Sequence, residues 1–251
     1  MGKYRADLLS FDEDRQVVEF DIGRPKKITG SRIAAIAGLN EYTTEFKVAC
    51  EIAKLYPGDP PTKYTEAGNV MEPKIRDYVR RNADAFIGKD YGGSVGIKDP
   101  VPKEECFYEH FPGKEPFGGM VDGYVTSDGF NAGILEIKTA KTRKGWINED
   151  GTYKVPTNYL LQASLYCELS GLKKITFVVG FPEEDDYDNP DLWEPSESNV
   201  LVITVDGFPM KSIMNDAVRW YNKYIKNGVT PPWTEKDKEL VDWLLANSSP
   251  Y

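Results

Sequence analysis

Three charged residues on two neighbouring predicted strands have the types and spacing for metal-assisted chemistry. Segments 119–126 and 132–139 have a β-strand pattern and are joined by a hairpin-type loop. A hairpin folded symmetrically about the glycine in that loop places Asp122 opposite Glu136, with Cβ atoms about 4.5–5.5 Å apart. Side chains alternate along a strand, so Lys138 shares the face of Glu136. The pattern predicts two acids and one lysine on one patch.

This patch needs a balance for its negative charge, because like charges directly opposed on a sheet are destabilising. Lys138 alone, protonation of Asp122 or Glu136, or a bound divalent cation would each provide it. Mg²⁺ prefers oxygen ligands and keeps several waters while sharing substrate phosphates, which suits two carboxylates. The alternative is an exposed strand pair whose charges face water, because a D…ExK triplet is short enough to arise often by chance.

Two further polar residues lie on predicted helices. Glu72 lies on helix 66–82, where apolar residues recur at helical spacing. Gln162 stands between Tyr159 and Tyr166 on a polar stripe opposite a stripe of leucines. A glutamate or glutamine on a helix is usually solvated, whereas a glutamine bracketed by tyrosines can also line a cleft.

The elements that must position these residues alternate between helices and strands, which predicts an α/β fold with a mixed central β-sheet flanked by α-helices. We expect one domain over residues 1–251, in which Ser31 caps the first helix and Pro73 starts or kinks the main body of the third. The predicted helices cover 32–37, 44–56, 66–82, 158–170, 209–226 and 235–246. The predicted strands cover 17–22, 94–97, 106–109, 119–126, 132–139, 174–181 and 200–206.

Composition excludes several classes of mechanism. The chain has 251 residues, of which 40% are apolar and 28% charged, as in soluble globular proteins. One histidine, His110, and three cysteines without a CxxC pair leave little material for a Ser/His/Asp triad or a zinc site. The sequence shows no phosphate-binding loop, no signal peptide and no membrane-spanning run, so we expect a reducing cytoplasm and no membrane partner. Chemistry would fall to carboxylates, lysine and a metal.

Charge is distributed unevenly along the chain. Segment 183–197 contributes −8 to a net charge of −9, which leaves −1 for the rest. We interpret this acidic segment as a solvated loop, in preference to a docking or DNA-mimicking role. The near-neutral remainder is compatible with a nucleic-acid partner.

Short motifs spread along the chain occur together in one known superfamily. They are Ile28-Thr29-Gly30-Ser31, with Arg24 seven residues before Ser31, then Gly68-x-x-x-Glu72, Asp122-Gly123, Glu136-Ile137-Lys138, and Gln162 within YLLQASLY. Together they resemble the PD-(D/E)XK nucleases, and within that superfamily the phage lambda exonuclease-like, YqaJ-type viral recombinase nucleases. The resemblance covers about residues 22–181 and implies a restriction-endonuclease-like core, with C-terminal helices at about 209–246 packed on it.

The resemblance implies that the protein hydrolyses DNA phosphodiester bonds with Mg²⁺, for which Mn²⁺ can substitute. By matching position, Asp122, Glu136 and the backbone carbonyl of Ile137 would bind the metal. Glu72 would support it directly or through water.

The same resemblance assigns the remaining motif residues. Lys138 would hold or activate the attacking water, and Gln162 would help to orient the cluster. Arg24 and Ser31 match residues that grip the 5′ phosphate of a strand end, where a helix N-terminus favours an anion. Segment 141–154, in which basic residues alternate with aromatic ones, suits a loop that separates strands or follows a nucleic-acid backbone, and a solvated loop is the alternative.

We therefore expect a metal-dependent deoxyribonuclease, a 5′ to 3′ exonuclease acting on double-stranded DNA ends in phage-type recombination. The alternatives are an endonuclease of the same fold and a catalytically silent DNA-end-binding protein. The resemblance also implies a single-strand annealing protein as a partner, a ring-shaped homotrimer, and a phage or prophage origin in a bacterial or archaeal host cell.

Overall fold

The computed structural model describes residues 9–248, which fall into two compact units. Unit 1 comprises residues 9–59, 113–118 and 209–248, and unit 2 comprises residues 60–112 and 119–208. The expectation of one domain stays a prediction, and its ends at 1–8 and 249–251 lie outside the described residues. Across residues 9–248, no helix combines the length and apolar character needed to cross a bilayer.

Helices and strands follow one another closely along both units. The strands are β1 (Leu9–Asp12), β2 (Val17–Phe20), β3 (Val95–Lys98), β4 (Gly123–Ser127), β5 (Phe130–Thr139), β6 (Lys174–Gly180) and β7 (Val200–Asp206). The helices are α1 (Gly30–Ile36), α2 (Glu45–Ala53), α3 (Lys63–Arg81), α4 (Ala83–Tyr91), α5 (Thr157–Ser170), α6 (Lys211–Lys223) and α7 (Lys238–Asn247).

Unit 1 contains the paired strands β1 and β2 together with α1, α2, α6 and α7. The two strands are antiparallel, with Leu9 opposite Phe20. Thr230 holds β2 from the C-terminal part of the unit, because its buried hydroxyl accepts the backbone N–H of Val18 at 2.9 Å. The first and last segments of the described chain therefore belong to one packed unit.

Unit 2 is built on a five-stranded sheet in the order β3-β4-β5-β6-β7. Only the β5–β6 pair is parallel, and α5 makes the crossover that a parallel pair requires. Helix α3 packs Met71 and Ile75 against Leu135 and Ile137 of β5 and Val178 of β6 in the core. The predicted mixed central sheet with flanking helices is confirmed.

The hairpin of β4 and β5 has the predicted register at the end that adjoins Asp122 and Glu136. Gly123 lies opposite Leu135, as symmetric folding about the loop glycine requires. Nearer the turn the register shifts by one residue, so that Thr126 lies opposite Asn131. A β-bulge accommodates this shift. Asp122 lies one residue before β4, at the end of the ladder rather than within it.

One predicted strand, 106–109, is wrong. Residues 106–108 form a turn and Glu109 belongs to no regular element, and Phe107 and Tyr108 have positive φ angles of 53° and 61°. The Glu109 carboxylate accepts the backbone N–H of Gly119 at 3.1 Å, so a side chain satisfies the backbone polar group that a ladder would otherwise satisfy.

One prediction about a helix start is also wrong. Helix α1 begins at Gly30, so Thr29 occupies the N-cap position and Ser31 lies in the first turn, with its Oγ 3.0 Å from the hydroxyl of Thr29. Helix α3 begins at Lys63 and contains Pro73 in its interior, so Pro73 does not start it, whereas a kink at Pro73 stays a prediction.

Candidate active site

The candidate site is organised around β5, the middle strand of the sheet in unit 2. Leu135 and Ile137 point into the core formed with α3. By alternation, Glu136 and Lys138 point to the opposite face, where α5 presents Gln162. Because β5 is paired on both sides, this position is deep, and Glu136 is only 1% exposed.

The two oxygens of the Glu136 carboxylate have different surroundings. Oε1 accepts hydrogen bonds from Lys138 Nζ, at 2.6 Å, and from the Gln162 side-chain amide. Oε2 is buried and has no hydrogen-bond partner among residues 9–248. An unsatisfied buried acceptor is costly in free energy, so this oxygen is an open position for a donor or a cation.

Asp122 is held directly beside this strand. Its Oδ2 accepts the backbone N–H of Ile137 at 2.8 Å. This bond fixes the Asp122 carboxylate next to the peptide that links Glu136 to Ile137. The backbone carbonyl of Ile137 remains a predicted metal ligand.

Two residues outside the sequence motifs support Asp122 and Glu72. The Arg76 guanidinium binds the Glu72 carboxylate and donates to the backbone oxygen of Asp122 at 2.9 Å. His110 Nδ1 accepts the backbone N–H of Val121 at 3.0 Å. The spacing of four residues between Glu72 and Arg76 could have indicated their ion pair. No local sequence pattern indicates the contact between His110 and Val121.

Burial and charge act together on the ionisable groups. Burial raises the pKa of Glu136, the Lys138 ammonium opposes that rise, and the charges of Asp122 and Glu72 add to it. Burial also raises the pKa of Glu72, with a contribution from Asp122 that Arg76 opposes. Burial alone would lower the pKa of Lys138, but the Glu136 and Asp122 carboxylates raise it. With every group ionised, three carboxylates face two cations, so the cluster has surplus negative charge.

The carboxylates of the cluster fit a hard divalent cation, although they do not form a complete set of protein ligands. Within residues 9–248, no group of three or more His, Cys, Asp or Glu side chains is arranged to hold a metal ion. Mg²⁺ does not need one, because it is bound through one or two carboxylates plus waters and substrate phosphates. The unpartnered Glu136 Oε2 beside Asp122 meets that requirement.

Two residues of the polar stripe of α5 face the cluster. Gln162 contacts Glu136, and the Tyr159 ring centroid lies 5.2 Å from Lys138 Nζ. Tyr166 is buried and stacks on Phe111, with ring centroids 5.5 Å apart. Trp146 is also buried and stacks on Tyr159, with ring centroids 5.5 Å apart. The predicted nucleic-acid contact of segment 141–154 therefore cannot use its tryptophan.

Arg24 and Ser31 belong to unit 1, whereas the other predicted site residues belong to unit 2. Arg24 lines a cavity of about 500 Å³ within unit 1, together with Lys26, Lys27 and Lys226. The roles of Arg24 and Ser31 at a 5′ phosphate stay predictions.

The motifs, the mixed sheet and the acidic cluster beside Lys138 agree with a direct family match. Residues 19–173, more than half of the chain, match the YqaJ-like viral recombinase domain. The protein belongs to this family, and the resemblance drawn from its motifs is confirmed.

Relatives of similar length extend the comparison. The uncharacterized protein MG373 of Mycoplasma genitalium is 28% identical over 260 residues, covering 88% of each chain. The MG373 homolog of Mycoplasma pneumoniae is 29% identical and covers 90% of this chain and 89% of its own. A solved structure with a similar fold is that of LHK-Exo, an alkaline exonuclease from Laribacter hongkongensis, in complex with dAMP. Its sequence is 18% identical, and the match covers 89% of this chain and 95% of that chain with a TM-score of 0.50. That likeness concerns the fold alone.

Proposed function

We propose that this protein is a metal-dependent deoxyribonuclease that degrades double-stranded DNA from its ends in the 5′ to 3′ direction. The observation that carries the proposal is the buried Glu136, with one oxygen bound by Lys138 and Gln162 and the other left open beside Asp122. Membership of a viral recombinase family supports it, as does the fold shared with LHK-Exo, an alkaline exonuclease.

Asp122 and Glu136 would hold Mg²⁺ or Mn²⁺, with the Ile137 carbonyl and Glu72 supporting it. When bound, the metal would polarise the phosphoryl oxygen and lower the pKa of a water molecule. Arg76 keeps Glu72 beside Asp122 through its contacts to both residues.

Lys138 and Gln162 would act on the geometry of the reaction. Gln162 fixes the orientation of the Glu136 carboxylate through its amide. The Lys138 ammonium, itself positioned by Glu136, would hold the attacking water or offset the charge that develops on the phosphate.

The preference for DNA ends is supported by the basic cavity of unit 1. Arg24, Lys26, Lys27 and Lys226 line it, and only Glu115 among its lining residues is acidic. Such a cavity fits a small anion such as a terminal phosphate. Arg24→Ala should weaken binding to DNA ends and remove the preference for a 5′ phosphate, because arginine forms strong charge-assisted bonds to phosphate. Titration of duplexes with and without that phosphate measures this, and an unchanged preference would remove Arg24 from end recognition.

A digest of linear and closed circular DNA with Mg²⁺ tests the proposed activity. Degradation of linear DNA only supports an exonuclease, and labelling one strand at either end then gives the direction. Cleavage of both substrates means an endonuclease, and cleavage of neither, with binding intact, means an end-binding protein. Lys138→Ala is the control for a contaminating nuclease.

A ring-shaped homotrimer would explain processive degradation, because a closed ring does not leave its track. A monomeric mass by light scattering at working concentration would contradict this part alone. A single-strand annealing protein stays the proposed partner.

A further inference from the structure

The acidic segment 183–197 is anchored to unit 2. Residues Glu184–Tyr187 form a short 3-10 helix, and Tyr187 and Trp193 are buried in the core cluster that includes α3. Tyr187 also packs edge-on against Tyr64, with ring centroids 4.9 Å apart. Seven of the eight acidic residues are exposed and Asp186 is half-buried, but the backbone that carries them is held in place.

Some exposed acids of this segment, among them Glu184 and Asp188, pair with lysines from other parts of unit 2. Glu184 lies 2.9 Å from Lys63 Nζ and 3.5 Å from Lys141 Nζ, and Asp188 lies 3.1 Å from Lys63 Nζ. The Lys141 ammonium also lies 3.7 Å from the ring centroid of Tyr64. These side chains are 42–60% exposed, so solvent and ions reach every member.

The paired lysines flank the candidate active site along two elements. Lys141 follows Lys138 by three residues, a span of at most about 10 Å in an extended chain. Lys63 precedes Glu72 by nine residues on α3, a rise of about 14 Å. At about 3.4 Å per nucleotide along a strand, these distances correspond to roughly three to four nucleotides.

We propose that Lys63 and Lys141 form a second contact for the nucleic-acid backbone, about three to four nucleotides from the cleaved bond, and that Glu184 and Asp188 occupy it until phosphates replace them. This inference rests on the proposed nuclease function. Exposed ion pairs contribute little to stability and are screened by salt, so the exchange requires little free energy. Glu184 and Asp188 thereby oppose the binding of isolated anions, whereas a polyanion that contacts both lysines can replace them.

The test compares two variants that remove the same charge from the same segment. E184Q/D188N removes the acids that pair with the lysines. D185N/E197Q removes two exposed acids that form no ion pair within the described part of the chain. Affinity for a short DNA duplex is measured with Ca²⁺ in place of Mg²⁺ over a range of salt concentrations. We expect E184Q/D188N to bind about tenfold more tightly than the control at low salt, with a salt slope steeper by about 1–2 because each freed lysine releases counterions.

The lysines must account for that gain. K63M/K141M should bind the duplex several-fold more weakly than the wild type, and the E184Q/D188N changes should give no gain over D185N/E197Q in that background. If K63M/K141M has a lower melting temperature than the wild type, the single variants K63M and K141M give the same comparison of duplex affinity. Equal gains from both acid variants, or wild-type affinity in the folded lysine variants, would overturn the inference.

The outcomes separate this inference from the proposed function. If the wild type degrades linear DNA while the two acid variants bind alike, only the second contact is wrong. If the wild type neither binds nor degrades DNA, both fall.

Discussion

Unit 2 holds two carboxylate–lysine pairs of similar geometry in opposite environments. Glu136 and Lys138 are 2.6 Å apart, with side chains 1% and 18% exposed. Glu184 and Lys63 are 2.9 Å apart, with side chains 57% and 42% exposed. Burial makes the first pair strong, fixed and dependent on both partners, whereas water screens the second and leaves it exchangeable. The comparison teaches that the depth of a pair, rather than its distance, decides whether it can organise a reaction or act as a replaceable counter-ion.

The sharpest test removes the lysine from each pair. Lys138→Met should lower the free energy of unfolding by about 3 kcal/mol, because the buried carboxylate loses its partner. Lys63→Met should leave the denaturant midpoint unchanged within error, because its carboxylates face water. Chemical denaturation measures both.

The loss in Lys138→Met should shrink as the pH falls. Burial raises the pKa of Glu136 above its unfolded value and the Lys138 ammonium opposes that rise. Without Lys138 the pKa rises further, so the variant gains more stability than the wild type as the pH is lowered. A loss that is equal in both lysine variants, or independent of pH, would contradict the contrast between the pairs.

The second test concerns catalysis. Lys138→Ala should reduce turnover by about 10² or more while DNA-end affinity, measured with Ca²⁺, stays within a few-fold, because the ammonium acts mainly in the transition state. Lys173→Ala, which removes an exposed lysine between α5 and β6, is the matched control. Near wild-type turnover in Lys138→Ala would show that the assignment of the catalytic cluster is wrong.

The smallest expected effect is on metal binding. Mg²⁺ at about ten times its Kd should stabilise the protein by about 1.4 kcal/mol, or roughly 3–6 °C in Tm, and chelator should reverse this. Asp122→Asn should abolish the shift, whereas Asp185→Asn should keep it, because only Asp122 lies beside the open Glu136 oxygen. An intact shift in Asp122→Asn would place the metal elsewhere.

Local rules predicted much of the buried region. Alternation along β5 and the hairpin register were enough to place Lys138 on the face of Glu136, and helical periodicity was enough to bring Gln162 onto one side of α5. These rules depend on residues close in sequence, so they need no knowledge of the rest of the fold. These local rules did not predict the extra residue of the β-bulge, because it depends on how the hairpin twists against its neighbours.

The rest depended on contacts between distant segments. Trp146 is indistinguishable by sequence from an exposed aromatic of a basic loop, yet it stacks on Tyr159 thirteen residues away and is buried. The anchoring of the acidic segment requires Tyr187 and Trp193 to reach the core beside α3. The composition of that segment gives its charge, but it does not show that its two aromatic side chains are buried and hold it in place.

The division of the chain into units also orders events in time. Unit 2 ends at residue 208, whereas unit 1 requires residues 209–248 in addition to residues 9–59 and 113–118. At about 5–20 residues per second, a ribosome needs roughly 2–8 s to add that last segment. At the start of that interval every strand of the five-stranded sheet has been synthesised, while the β1–β2 pair still lacks the Thr230 hydroxyl that accepts from Val18, which is added about halfway through it. The nascent protein therefore has the residues of its proposed catalytic cluster before it can finish the unit that holds its proposed 5′-phosphate residues.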